Sequence, residues 1–259
     1  MSGLVIGIVC AGFGVLASLT DGQGISEEPP AWTQAVIHKV RTPLSESLSL
    51  PIDGAPLRIV HRREGAARLD IKAHATTEEI VVRLEGDGWD SPSPLGRRTL
   101  EQNLAHELAH HRQFQAGPTE GEPLWWHEGT AEAMALGALV RSRVWTAGLA
   151  SEWRDKARMQ CVGALGRGTL DDLWAGGDRD AIYACSYLMV EAAAEASGMT
   201  VLRLRRGATR AMASGTALSD YLEKVAGKDM ARSLHAFAGR SYVHVDGAWV
   251  IEQLQQGEL

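Results

Sequence analysis

Two short segments of the chain carry residues whose types and spacing suit metal-dependent chemistry. The first, His106 to His110, has the pattern H-E-x-x-H, and the second, Trp125 to Glu132, contains two glutamates. Residues four apart lie on one face of a helix, so His106 and His110 can direct two imidazoles at one metal ion. Glu107 lies beside them and can reach a water at that metal as a general base. The pattern predicts a zinc-dependent hydrolase, most of all a peptidase.

The first segment lies in a region that predicts a helix. Residues 98–115 contain neither proline nor glycine, and leucines recur there at a spacing of four. Thr99 followed by Gln102 offers a capping box at the start of this helix. The leucines that would form its buried face are Leu100, Leu104 and Leu108. The histidine pair is therefore expected on a helix with one buried face.

The third protein ligand must lie elsewhere, because the metzincin pattern does not fit. That pattern requires glycine and histidine at positions where this chain has Gln113 and Ala116. The candidates are Glu128 and Glu132, one turn apart on a second helix predicted over residues 125–136. A loop of about nine residues would let this second helix double back onto the first.

At these residues the chain resembles the gluzincin metallopeptidases, the H-E-x-x-H…E zinc enzymes of the peptidase MA-like family. In them a second helix carries the ligand glutamate in a W-x-x-E-G-x-A-E-like stretch, which Trp125 to Glu132 matches. The resemblance implies one Zn²⁺ ion with three protein ligands: His106, His110 and Glu128. It also implies that Gly129 allows a close helix approach and that Glu132 accepts a hydrogen bond from a ligand histidine. The alternative for Glu132 is an ordinary solvated helix position.

A group that stabilises the oxyanion of peptide hydrolysis is expected on another helix. The stretch Tyr183 to Val190 resembles the helix start that carries the catalytic tyrosine in aminopeptidase-N-like gluzincins. This implies Tyr183 in that role, with Tyr187 one turn further on. The alternative is that both tyrosines are packing residues. The G-x-M-E-N motif of that family is absent from the sequence, so an aminopeptidase is not indicated.

Length, composition and net charge limit the classes of protein and of binding partner that are expected. A chain of 259 residues with 45% hydrophobic residues can bury one substantial core. The net charge is −6 without a long basic run, so nucleic-acid binding is not expected. The expected partner is a peptide or protein substrate, and the expected state is a monomer. Two alternatives stay open: a zinc hydrolase of non-peptide substrates and a catalytically silent zincin-like binding or scaffold protein.

The amino-terminal segment differs in composition from the rest of the chain. Residues 4–19 carry no charge and resemble the apolar part of a secretory signal, with Val15–Ala17 as a cleavage site. Residues 1–20 are interpreted as a signal peptide or as an uncleaved membrane anchor, with a buried segment as the third alternative. Export to the periplasm or exterior would place Cys161 and Cys185 in an oxidising compartment, either bridged or as two buried thiols.

The order of the predicted elements indicates an α+β fold. Residues 21–50 are expected to hold a linker and a short helix over 31–40, stopped by Pro43. A zincin-like metallopeptidase domain is expected over 51–245, where a small mixed sheet precedes a mainly helical part. Residues 246–259 are expected to form a C-terminal tail, frayed over 255–259. In related metallopeptidases an edge strand binds the extended substrate. Three strands are predicted, over 56–63, 67–75 and 79–84. Further helices are predicted over 152–165, 181–196, 201–213, 217–225 and 229–238.

Overall fold

The computed structural model combines a small sheet with a larger helical part, so the fold is α+β as predicted. It describes residues 29–49, 56–63, 69–117 and 119–259, and the backbone alone of residues 8–10. The expected leader over residues 1–20 therefore lies outside the described residues, apart from that short backbone stretch. Among the described residues, no helix combines the length and the apolar character needed to cross a membrane.

The sheet is mixed, as the sequence predicts, and its strands follow the order β1-β3-β4-β2. Its strands are β1 (Ile8–Cys10), β2 (Leu57–Arg62), β3 (Asp70–Ala75) and β4 (Ile80–Glu85). β3 and β4 form an antiparallel hairpin, while β2 pairs in parallel with β4 and β1 pairs in parallel with β3. Ile71 and Ala73 of β3 are buried between half-buried neighbours, because successive side chains point to opposite faces.

Ten α-helices account for most of the remaining described residues. They are α1 (Ala31–Leu48), α2 (Pro94–Ala116), α3 (Leu124–Arg141), α4 (Ala147–Ala164), α5 (Leu170–Ala175), α6 (Arg179–Ser197), α7 (Val201–Ala213), α8 (Leu218–Ala226), α9 (Lys228–Gly239) and α10 (Gly247–Gln256). α3 lies at the centre of the helical part and packs against both α2 and α6. The sheet packs against α2, so this helix connects the two parts of the fold.

The first helix is longer than the sequence predicts. We expected it to stop before Pro43, but α1 continues through this proline to Leu48. Proline removes one backbone hydrogen bond from a helix interior. Burial of one face offsets that loss, since apolar side chains at a spacing of four are packed in the core on both sides of the proline. These side chains are Val36, Val40, Leu44 and Leu48.

The second helix begins earlier than predicted, and its cap is a different residue. Ser93 is the N-cap, and its hydroxyl accepts a hydrogen bond from the backbone N–H of Gly96 at 3.2 Å. Pro94 occupies the first helical position, where its missing N–H removes nothing from the helix. The predicted capping box at Thr99 is therefore wrong. The Thr99 hydroxyl lies inside the helix and donates to the Leu95 carbonyl.

Most of the expected C-terminal tail over residues 246–259 forms α10. Asp246 caps this helix by accepting a hydrogen bond from the Ala248 N–H at 2.9 Å. The helix packs against α4, α6 and α9. Its buried side chains are Val250, Ile251 and Leu254. Their spacing gives α10 an apolar face, so its burial outweighs the fraying expected at a chain end.

A disulfide bond connects two of the helices that surround the centre of the molecule. Cys161 of α4 and Cys185 of α6 are bridged, so the bridged alternative describes the structure. Both cysteines are fully buried. The bond therefore fixes α4 against α6 close to the start of α6, where Tyr183 lies.

Candidate metal centre

The three predicted ligands converge where α2 meets α3. The Nε2 atoms of His106 and His110 lie 2.9 Å apart. The Glu128 Oε2 atom lies 3.1 Å from the His110 Nε2 and 3.3 Å from the His106 Nε2. All three side chains are buried, and their ligand atoms lie within 4.8 Å of one another. Two neighbouring helices thus bring two nitrogens and one oxygen to a single point.

The dimensions of this triangle are close to those of the ligand set of a small metal ion. Tetrahedral Zn²⁺ binds histidine nitrogen and carboxylate oxygen at roughly 2.0–2.2 Å, so its ligand atoms lie about 3.3 Å from one another. The Nδ1 atoms of His106 and His110 face the acceptor oxygens of Glu132 and Gln113. A hydrogen on each Nδ1 leaves the lone pairs of both Nε2 atoms directed into the triangle. Two such lone pairs so close together, beside a carboxylate, favour a cation between them.

Glu132 orients the first ligand, His106. The Glu132 Oε2 atom accepts hydrogen bonds from the His106 Nδ1 at 2.9 Å and from the Gln102 Nε2 at 2.6 Å. Its Oε1 atom accepts from the Trp153 Nε1 at 3.1 Å. Glu132 is only 5% exposed, so a solvated helix position does not describe it. The structure places this carboxylate where the resemblance implies, behind a ligand histidine.

Gln113 orients the second ligand, His110, and sequence reasoning missed this role. The Gln113 Oε1 atom accepts from the His110 Nδ1 at 2.9 Å. The Gln113 Nε2 atom donates to the His127 carbonyl at 2.9 Å and to the Thr130 hydroxyl at 2.8 Å. These two acceptors fix which end of the amide faces His110. The signal available in the sequence was the position of Gln113, three residues after a ligand on the same helix face.

The predicted oxyanion group lies beside the ligand triangle, and the predicted general base is a buried residue next to one of the ligands in the chain. Glu107 follows His106 on α2 and is 1% exposed. Tyr183 lies near the start of α6, and its ring meets the His106 ring edge-on with centroids 5.5 Å apart. Tyr187 has a different environment, since its hydroxyl accepts a hydrogen bond from the Arg154 Nε. Of the two tyrosines, Tyr183 is the one beside the metal ligands.

Gly129 allows the close contact between α3 and α6 that brings Tyr183 to the site. A Cβ atom at this position would lie 2.6 Å from the backbone carbonyl carbon of Ser186 and in contact with its oxygen. Those atoms belong to the backbone and cannot rotate away. A side chain at Gly129 would therefore push the two helices apart.

The electrostatics of the triangle favour an ionised Glu128. Burial by itself raises the pKa of this carboxyl group. When the histidines are protonated, the charge of His110 and the hydrogen bonds from both histidines outweigh burial, so the pKa of Glu128 falls well below its usual range. A metal ligand must be deprotonated to bind, and this carboxylate meets that condition.

Space for a second molecule lies on both sides of the ligands. A cavity of about 40 Å³ is lined by His106, Tyr183 and polar residues of α2 and α4. A larger cavity of about 350 Å³ is lined by His127, Glu128 and Trp174 of α5. The ligand set therefore borders two cavities, of which only the larger has room for more than a few water molecules.

Two further histidines have supporting positions in the structure. His111 is buried, and its Nδ1 lies 3.0 Å from the Thr76 carbonyl, so it ties α2 to the β3–β4 turn. His127 is also buried, and its ring stacks on the His110 ring with centroids 4.6 Å apart. Neither histidine is a member of the ligand triangle.

Comparisons with known proteins identify no family for this chain. No protein-family model matches it, and no curated protein matches it either. What the described residues establish is a buried His–His–Glu group that can hold a metal ion.

Proposed function

We propose that the protein is a zinc-dependent metallopeptidase of the gluzincin type, with a zincin-like core. The observation that carries the proposal is the ligand triangle of His106, His110 and Glu128. The groups beside it support the same function, because Glu107 and Tyr183 provide a base and a phenol within one buried site. The small sheet that packs on α2 is the arrangement expected of a zincin-like core.

Zinc is the metal that this donor set favours. Two imidazole nitrogens and one carboxylate are the ligands of catalytic zinc in the His₂Glu sites of metallopeptidases. Hard cations such as Mg²⁺ and Ca²⁺ prefer sites built entirely from oxygen atoms. Three protein ligands rather than four leave one coordination position for a reactant, which distinguishes a catalytic site from a structural one.

In the proposed hydrolysis, each side chain of the site has a separate role. A zinc ion held by His106, His110 and Glu128 would polarise the scissile carbonyl and lower the pKa of the attacking water. The Glu107 carboxylate accepts a proton from that water as it attacks the carbonyl carbon, and then delivers the proton to the leaving amine. The Tyr183 hydroxyl donates to the oxyanion that forms on the former carbonyl oxygen. Glu132 and Gln113 hold the two imidazoles in place during these steps.

An extended peptide is the substrate that suits the surroundings of the site. The sheet adjoins α2, and peptides bind sheets of this kind by adding a strand to an edge. In the described residues the edges belong to β1 and β2, because β1 pairs with β3 over Ile8–Cys10. Release of the amino-terminal segment would therefore expose the edge of β3.

Export is the location that the structure supports best. The Cys161–Cys185 bond is expected in an oxidising compartment, such as the periplasm or the exterior of the cell. Residues 1–20 would then act as the signal peptide or as an anchor that holds the enzyme at the membrane through residues 4–19. We propose that the exported enzyme acts as a monomer on peptide or protein substrates.

The test combines metal analysis with a digest of a peptide library. Purified wild-type protein is expected to contain one zinc ion and to cleave peptides. Glu107→Gln is expected to retain zinc and lose cleavage, because the amide cannot accept the proton of the water. Glu128→Ala is expected to lose most of its zinc. Retained cleavage by Glu107→Gln would remove the general base from the mechanism, and wild-type protein without bound metal would overturn the proposal.

A further inference from the structure

Arg205 forms a buried ion pair near the metal centre. Its Nη2 atom lies 2.7 Å from the Glu122 Oε1, and both side chains are 2% exposed. Glu122 belongs to the connection between α2 and α3, whereas Arg205 lies on α7. Among the described residues, none of the three guanidinium nitrogens of Arg205 makes a hydrogen bond, so its contact with Glu122 is an ion pair alone. The buried guanidinium therefore depends on one carboxylate.

Glu122 connects this cation to the ligand-bearing helix. Its second oxygen, Oε2, lies 3.3 Å from the His127 Nδ1. Glu122 also directly precedes Pro123, the N-cap of α3, which has no side-chain cap within the described part of the chain. The Arg205–Glu122 pair thus holds the start of the helix that carries Glu128.

His127 contacts both Glu122 and the ligand His110, so it links the ion pair to the metal centre. Its ring covers one face of the His110 ring, with centroids 4.6 Å apart and planes 26° from parallel. Its backbone carbonyl accepts from Gln113, and the same amide accepts from the His110 Nδ1. His110 is therefore fixed twice, by the stacked ring and by the amide, and both contacts depend on the placement of His127.

We propose that Arg205 is a positioning residue for the metal centre, acting through Glu122 and His127 on the ligands His110 and Glu128. This inference rests on the proposed metal site. A buried ion pair is often no more stabilising than apolar side chains of similar volume, so stability alone gives little reason for it. The position of the ion pair at the start of α3 gives another reason. Residues that contact metal ligands set the geometry of those ligands and affect metal affinity about 10- to 100-fold.

The test is the zinc affinity of two variants, measured by competition with a chelator. Arg205→Met leaves Glu122 buried without its partner, so this variant loses stability as well as geometry. The double variant Arg205→Met/Glu122→Met removes both charges and avoids the unpaired carboxylate. Leu254→Ala, in the buried face of α10, is the matched control for general loss of stability.

The double variant separates a positioning role from a purely structural one. We expect it to fold and to bind zinc about 10- to 100-fold more weakly than the wild type, because His127 has lost Glu122. Leu254→Ala should bind zinc with wild-type affinity. Wild-type affinity in a folded double variant would overturn the inference and leave the metal site itself intact. Wild-type protein that binds no zinc would instead overturn the proposed function.

If the double variant does not fold, Arg205→Lys is tested instead, because it keeps the positive charge but not the planar guanidinium group. With the charge retained, this variant is expected to fold and to bind zinc more weakly than the wild type. Unchanged affinity in folded Arg205→Lys would then count against positioning by the guanidinium.

Discussion

Replacing Glu132 by glutamine tests how the structure orients His106. The carboxylate receives three hydrogen bonds, from His106, Gln102 and Trp153. A glutamine carbonyl can keep the two donors at the Oε2 position, but its NH₂ group then faces the N–H of Trp153. One buried donor is left without an acceptor, which costs about 1–3 kcal/mol of folding free energy.

The effect on the metal is separate from the effect on folding. His106 would donate to a neutral amide instead of a carboxylate, so its ring becomes less basic and less firmly oriented. Loss of such a partner weakens metal binding by roughly 10- to 100-fold, or about 1.4–2.8 kcal/mol of binding free energy. Zinc affinity is measured by chelator competition, and folding free energy by urea denaturation of the metal-free protein.

Glu101→Gln is the matched control for this substitution. Glu101 is another buried glutamate of α2, and its Oε2 accepts from the Trp145 Nε1 at 2.8 Å. Its other oxygen pairs with Lys39 rather than with a metal ligand. We expect this variant to lose stability without losing zinc affinity. Equal zinc affinity in Glu132→Gln and wild-type protein would refute the role of the carboxylate behind His106.

Three further predictions follow from contacts around the site. Gln113→Leu leaves the His110 Nδ1 without its acceptor, so zinc affinity measured by chelator competition should fall by about 10- to 100-fold. Burial raises the pKa of Tyr187 in the folded protein, whereas unfolded tyrosine titrates near pH 10. The stability from this shift is complete below about pH 10 and is lost as pH rises above it, so urea denaturation of Tyr187→Phe should show a smaller alkaline loss. Gly129→Ala forces α3 away from the Ser186 backbone, and denaturation should show a loss of about 1–3 kcal/mol together with weaker peptide cleavage.

Local patterns in the sequence were sufficient to predict the elements that carry the ligands. The i, i+4 spacing places His106 and His110 on one face of α2, and alternation predicts β3 and β4. These features depend on residues a few positions apart, which a sequence displays directly. The roles of Glu132 and Tyr183 came from the family resemblance, since spacing alone left a packing or solvated alternative for each.

Features that depend on distant parts of the chain could not be predicted in this way. The Arg205–Glu122 pair joins residues that are far apart in sequence, and nothing local to either residue identifies its partner. Pro43 is a helix breaker by local rules, yet the packing of Leu44 and Leu48 outweighs that rule. The apolar face of α10, which includes Leu254, is short. Whether this face is buried depends on the neighbouring helices that pack against it.

The two ligand histidines have chemically different partners, and the difference suits a catalytic metal. The carboxyl group of Glu132 lies behind His106, whereas the neutral amide of Gln113 lies behind His110. With an ionised Glu128 as the third ligand, the two carboxylates match the two positive charges of zinc. A second carboxylate behind His110 would make this imidazole a stronger ligand for the cation. It would also reduce the positive charge that acts on the attacking water. In the proposed mechanism Glu107 takes a proton from that water near neutral pH, so a neutral partner for His110 would keep the water acidic enough for this base.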